Sequence, residues 1–222
     1  MTIRAKLYTA IAVVLAGLAL TVGVGAWAMD RLGDRFDDVQ RAAGARALAL
    51  QLKFDVTDFN GWQTAYGYDG GKSRPTYLAA FGRFQTNLSS ARGELRDPRE
   101  ERLLDRIEAA TDDFARLDAV AWAALQAGRI EDVIRILLGP EIQNFQRAAG
   151  AAQQLAELEE AHAAAQERAF RDAREDALRF LVGSSIVAAL LVVILLITAT
   201  DLVRQAERAL EADEEGPAGA NS

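Results

Sequence analysis

Hydrophobic positions along this chain follow two rules in two kinds of place. Residues 7–29 and 180–200 are continuous apolar runs with no charge inside either. A helix rises 1.5 Å per residue, so about 20 such residues cross the hydrocarbon core of a bilayer. Between the runs, apolar residues recur at steps of three and four, the spacing of one face of an α-helix. After residue 30 one such stripe is Leu32, Phe36, Val39, Ala43, Ala47, Leu50 and Phe54. A second, rotated stripe is Leu48, Leu52, Val56, Phe59, Trp62 and Tyr66. One face suits the helix's own bundle, and homodimerisation is expected from the second stripe.

Gly and Pro divide the middle of the chain. Gly70-Gly71 breaks the first helix, and Pro75 suits the first turn of the next. Tyr77, Phe81, Phe84, Leu88, Ala91 and Leu95 mark helix two. Asp97 is then an N-cap with Pro98 at N1, and Glu100 and Glu101 complement the positive end of the helix dipole. Helix three carries Leu103, Ile107, Ala110, Phe114, Leu117, Ala121 and Ala124. A short amphipathic piece at 131–138 offers Val133, Ile134, Leu137 and Leu138, and Gly139-Pro140 closes it. Helix four keeps the period through Ile142, Phe145, Ala148, Ala152, Leu155, Leu158, Ala165, Ala169 and Ala173 and runs on into the second apolar run.

The expected fold is therefore all-α: a membrane-anchored antiparallel four-helix bundle whose helices one and four are continuous with two transmembrane helices. Its expected parts are a cytoplasmic start (1–6), a first span (7–29), an extracytoplasmic bundle (30–179), a second span (180–200) and a short acidic tail (201–222). Arg4 and Lys6 before the first run, with Arg204 and Arg208 after the second, place both termini in the cytoplasm of a two-pass inner (plasma) membrane protein. Ala26-Trp27-Ala28 matches a small-x-small cleavage site, but the run exceeds the roughly 7–15 residues of a signal-peptide core, which favours a retained anchor.

Composition narrows the function. A net charge of −7 argues against a nucleic-acid binder, which needs a basic stripe. With no cysteine, neither disulfides nor thiolate metal sites are available. No phosphate loop, nucleophile elbow or HExxH pattern occurs, so neither an enzyme nor a cofactor is expected. His162, the one histidine, sits at the edge of helix four's stripe and reads as a half-buried bundle residue rather than a metal ligand. Asp112, Asp113, Glu157, Glu159 and Glu160 read as a solvated acidic face.

The densest unusual chemistry lies in residues 55–68 and just beyond. Asp55, Phe59, Trp62, Tyr66 and Asp69 share one helix face, and Asn60 and Gln63 lie on the neighbouring one. Aromatic walls with a few amides and carboxylates suit a small polar ligand, and Arg74 in the following turn could meet an anion. The plainer alternative is that Phe59, Trp62 and Tyr66 fill the bundle core and Arg74 is a solvated turn charge.

The order of elements resembles the four-helix-bundle sensory module of bacterial methyl-accepting chemotaxis receptors. The match runs from Arg4 to about Arg208. Residues 127–133 and 137–141 look like the short acidic-amphipathic insert that often precedes the last helix of that family. The resemblance implies an extracytoplasmic ligand or partner, a dimer, and helix displacement passed across the membrane to a signalling partner that the residues do not identify. No arginine cluster on helix one matches the family's grip on amino-acid carboxylates; Arg46 stands alone there. The family's cytoplasmic signalling hairpin is also missing after residue 200, so a stand-alone relative or a fragment of a longer receptor is expected. The alternative class is a membrane scaffold or adaptor acting through helix–helix contacts.

Overall fold

The structure is a computed structural model and describes residues 3–214. Met1, Thr2 and residues 215–222 lie outside the described residues, and with them the Gly216-Pro217 ending expected to be a disordered tail. The described chain is helical throughout: α1 (Ile3–Tyr68), α2 (Arg74–Glu94), α3 (Pro98–Gln126), α4 (Ile130–Ile136), a π-helical segment (Leu137–Glu141) and α5 (Ile142–Glu214).

Each boundary has a local cause. Neither α1 nor α5 contains a proline, so nothing interrupts the hydrogen-bond ladder of either. Beyond α1 the chain turns on Gly70 (φ +70°) and Gly71 (φ +94°), a region that side chains with a Cβ rarely adopt. Asp69 holds the turn, accepting the Ser73 amide at 3.0 Å and its hydroxyl at 2.5 Å. Those hydrogen bonds keep its carboxyl below the ordinary aspartate range. The expected cap of α3 is present as a capping box: Asp97 accepts from the Arg99 amide at 2.7 Å, and Glu100 Oε2 accepts the Asp97 amide at 3.0 Å. Between α4 and α5, Gly139 leaves helical geometry (φ −108°, ψ −107°) and Pro140 removes a donor, so the turn widens to a π segment.

The chain divides into two compact units, residues 1–35 with 169–222, and residues 36–168. In the first, the Trp27 and Phe180 rings meet edge-on at 5.7 Å. At Gly17 a Cβ would come within 3.0 Å of Leu191 Cδ1, so the small residue is what lets the helices approach. Large apolar side chains face outward, among them Leu15, Leu18 and Val22 on α1 and Leu190, Ile194 and Ile197 on α5. Among the described residues, two helices are long and apolar enough to cross a membrane.

The second unit is organised around aromatic rings. Phe59 of α1 meets Phe81 and Phe84 of α2 and Phe114 of α3, each with centroids 5.2 Å apart and rings steeply inclined. Ala49, Leu52, Val56 and Tyr66 extend this core along α1, and Leu104, Ile107 and Ala121 along α3. α5 adds the buried Ala148, Ala151, Ala152, Leu155 and Ala156, with Phe145 partly buried against them.

Burial sorts the two stripes of α1. The second stripe of α1 is the one that packs the core: Leu52, Val56, Phe59 and Tyr66 are buried, drawn in by the rings of α2 and α3. The lower part of the first stripe is left outside, with Leu50 and Phe54 exposed. Glu159 also departs from the solvated acidic face and is buried against the N-terminus of α3, with Glu100.

Gly71 lies against the Trp122 ring: a Cβ there would stand 2.8 Å from it, whereas Gly70 has open space. Gly71→Ala is expected to cost about 1–3 kcal/mol, and more than Gly70→Ala, in denaturant unfolding followed by circular dichroism.

Candidate functional site

The buried polar residues Gln63, Asp118, Glu141 and Asn144 meet where the end of α1, the first turn of α2, α3, the π segment and the start of α5 come together. Steps of four and three along α1 bring Phe59, Gln63 and Tyr66 onto its core face. The Tyr66 hydroxyl donates to Asp118 of α3. Arg74, at the start of α2, donates to the same carboxylate at 2.8 Å. Its guanidinium lies over three rings, with centroids at 4.8 Å (Tyr66), 5.1 Å (Tyr77) and 4.8 Å (Trp122). This is an aromatic cage occupied by the chain's own cation.

Next to it lies a second polar group. Glu141, the last residue of the π segment, is 1% exposed and accepts a hydrogen bond from the Gln63 amide at 2.9 Å. Its other oxygen, Oε2, has no hydrogen-bond partner, nor does Oδ1 of the buried Asn144. Burial, and then the negative charge of Asp118, push the Glu141 carboxyl up to about 8. Burial also raises Asp118, against the opposing pull of Tyr66 and Arg74, and raises the phenols of Tyr66 and Tyr77. A cavity of about 40 Å³ lies beside Asn60, Gln63, Thr64 and Leu138. By volume it holds roughly one to three waters and no larger molecule.

The eight residues singled out in the sequence separate into different environments. Gln63, Tyr66 and Arg74 join the cluster. Arg74 is no solvated turn charge, since its side chain is 15% exposed and ion-paired. Phe59 sits in the ring core, and Asn60 lines the small cavity. Asp55 is buried, accepting from Gln51 at 2.8 Å and from Asn87 at 2.7 Å. Trp62 faces outward, 39% exposed, with its indole N–H on Asp58 at 3.1 Å. Asp69 belongs to the turn.

Sequence reasoning missed Asp118, Trp122 and Glu141. The signal for Asp118 was present: it lies four residues after Phe114 and three before Ala121, a carboxylate inside an apolar stripe. Glu141 follows the same logic between the core residues Leu137 and Ala148, but the π turn displaces it from a plain helical count.

With every cation neutralised in place, the cluster ties four segments together. Asp118→Ala is expected to cost about 3–5 kcal/mol, because Arg74 keeps its buried charge without a partner. The double variant Arg74→Leu/Asp118→Leu should lose less than that single change, measured by urea unfolding.

Glu141 gives the pH response. A carboxyl at about 8 when folded and near 4.5 when unfolded keeps its proton longer in the folded state. Stability from this group is therefore fully present below about pH 4.5 and lost as pH rises to about 8. Glu141→Gln should leave unfolding almost unchanged at about pH 4.5 and stabilise by roughly 1–3 kcal/mol near pH 8. Thermal melts across that range read the difference.

No family model, curated protein or solved structure matches this chain.

Proposed function

We propose that this chain is a membrane-anchored sensory protein of the chemoreceptor-like type. Residues 30–179 form its extracytoplasmic four-helix bundle, both termini are cytoplasmic, and the spans are residues 7–29 and 180–200. An antiparallel bundle is supported by the order of paired residues. Asp58 pairs with Arg83 and Asp55 with Asn87, so α2 numbering rises as α1 numbering falls. The same inversion holds between α1 and the run of π segment and α5, where Gln63 meets Glu141 of the π segment and Arg46 meets Glu160 of α5.

The observation that carries the sensory reading is the continuity of α1 and α5. Each is one unbroken helix that contains both an apolar run and an arm of the core. A change of contacts around Arg74, Asp118 and Glu141, by a small molecule or a protein, would be felt at the end of α1 and the start of α5. Piston or rotation movements travel along a continuous helix. The second protomer of a homodimer would cover the exposed Leu50 and Phe54 of α1.

The test exploits a chain without cysteine. Arg46 and Glu160 face each other across α1 and α5, so Arg46→Cys/Glu160→Cys reports their spacing as a disulfide-formation rate. In membranes, at least one compound of a panel of amino acids, organic acids and aromatic amines is expected to change that rate severalfold. A rate constant across the panel and across cell extracts removes the sensory reading.

A scaffold is the second reading, favoured by the exposed Leu50 and Phe54 beside Ala43 and Ala47. It predicts a co-purifying membrane partner that Leu50→Glu/Phe54→Glu releases, with no small-molecule effect on the crosslinking rate.

A further inference from the structure

His162 does not stand alone. Its Nδ1 lies 3.4 Å from Glu159 Oε1 and 3.6 Å from Glu100 Oε1. One ligating atom from each of the three side chains falls within 4.8 Å of the others. Glu159 is 2% exposed and its Oε1 accepts no hydrogen bond, although it is the oxygen beside the histidine. Such an atom, desolvated and unpartnered, is costly unless something positive meets it.

The surroundings hold these groups in place. Glu100 spends Oε2 on the Asp97 amide in the cap of α3, which leaves Oε1 facing His162. Glu159 and His162 are three residues apart on α5 and share one face. A Glu-x-x-His pair on one helix with a Glu from another is part of the donor set from which helical bundles build two-metal sites. A cavity of about 400 Å³ adjoins the cluster. Of the charged groups that line it, Arg41 is paired with Asp38 at 2.6 Å, and Glu94 adds a further carboxylate.

We propose that Glu100, Glu159 and His162 form a three-ligand site for a divalent cation of the zinc class, with its fourth position open to the cavity. Tetrahedral coordination with bonds of about 2.0–2.1 Å sets neighbouring ligand atoms about 3.3–3.4 Å apart. The distances of 3.4 and 3.6 Å from His162 Nδ1 are close to that edge before any ion draws them together. One imidazole and two carboxylates give a neutral site with Zn²⁺, so the ion removes the repulsion that the buried acids carry without it. The site stands whether or not the chain is a sensor.

Calorimetric titration of the full chain in detergent with zinc chloride at neutral pH tests this. A single saturable site is expected, with Co²⁺ giving the visible absorption of a tetrahedral complex. His162→Ala removes a half-exposed ring and so should leave the fold intact, yet weaken zinc binding at least about tenfold. Glu159→Gln should weaken it comparably while keeping the same shape. Absence of saturable binding, or equal affinity in the parent chain and His162→Ala, overturns the site and assigns any bound zinc to surface carboxylates.

Discussion

The ion pair between Arg74 and Asp118 is the constraint that the helical unit depends on. A carboxylate buried among aromatic rings is costly unless a cation and hydrogen bonds reach it. Arg74 reaches it only because the chain reverses through Gly70 and Gly71 and begins α2 at that point. The turn, the cage of Tyr66, Tyr77 and Trp122, and the packing of α3 on α1 are thus one arrangement. Altering the turn displaces Trp122, and displacing Trp122 opens the cage. Buried pairs of this kind often add little net stability over apolar substitutes, but they disfavour every register in which the charges fail to meet. In a unit made only of helices, where neighbours can slip by a turn, that selection matters.

Much of the architecture was legible because helical periodicity and punctuation are local. The breaks at Gly70-Gly71, Asp97-Pro98 and Gly139-Pro140 fell where glycine geometry, capping and the missing proline donor require. Which stripe of α1 turns inward was not legible. Both stripes are apolar at helical spacing, and the choice is made by Phe81, Phe84 and Phe114 on other helices. The candidate site was half legible. Gln63, Tyr66 and Arg74 stood out by type and neighbourhood, while Asp118 and Glu141 become conspicuous only once the residues around them are known to be core. His162 with Glu100 and Glu159 was illegible for the same reason, since Glu100 comes from another helix.

Polar chemistry is thus placed at two separate levels of the same unit. One level, at the end of α1, is filled by its own arginine. The other, at the N-terminus of α3, has carboxylates in excess of cations. In the first, Arg74 answers Asp118 and leaves Glu141 to a single amide; in the second, among the described residues, no lysine or arginine is ion-paired with Glu100 or Glu159.

The make-up of α5 has a mechanical consequence. Its fully buried share of the core is four alanines and one leucine, with Phe145 and Ala149 partly buried against it, whereas α1, α2 and α3 meet through interlocked rings. Rings lodged against one another resist displacement, but a face made mostly of methyl groups offers less shape to lock against. The register of α5 is therefore held less by shape than by a few discrete polar catches, Gln63 on Glu141, Arg106 on Gln154 and Arg46 on Glu160. Such a helix behaves as a bolt in a sleeve: releasing one catch frees an axial step without dismantling the core beside it.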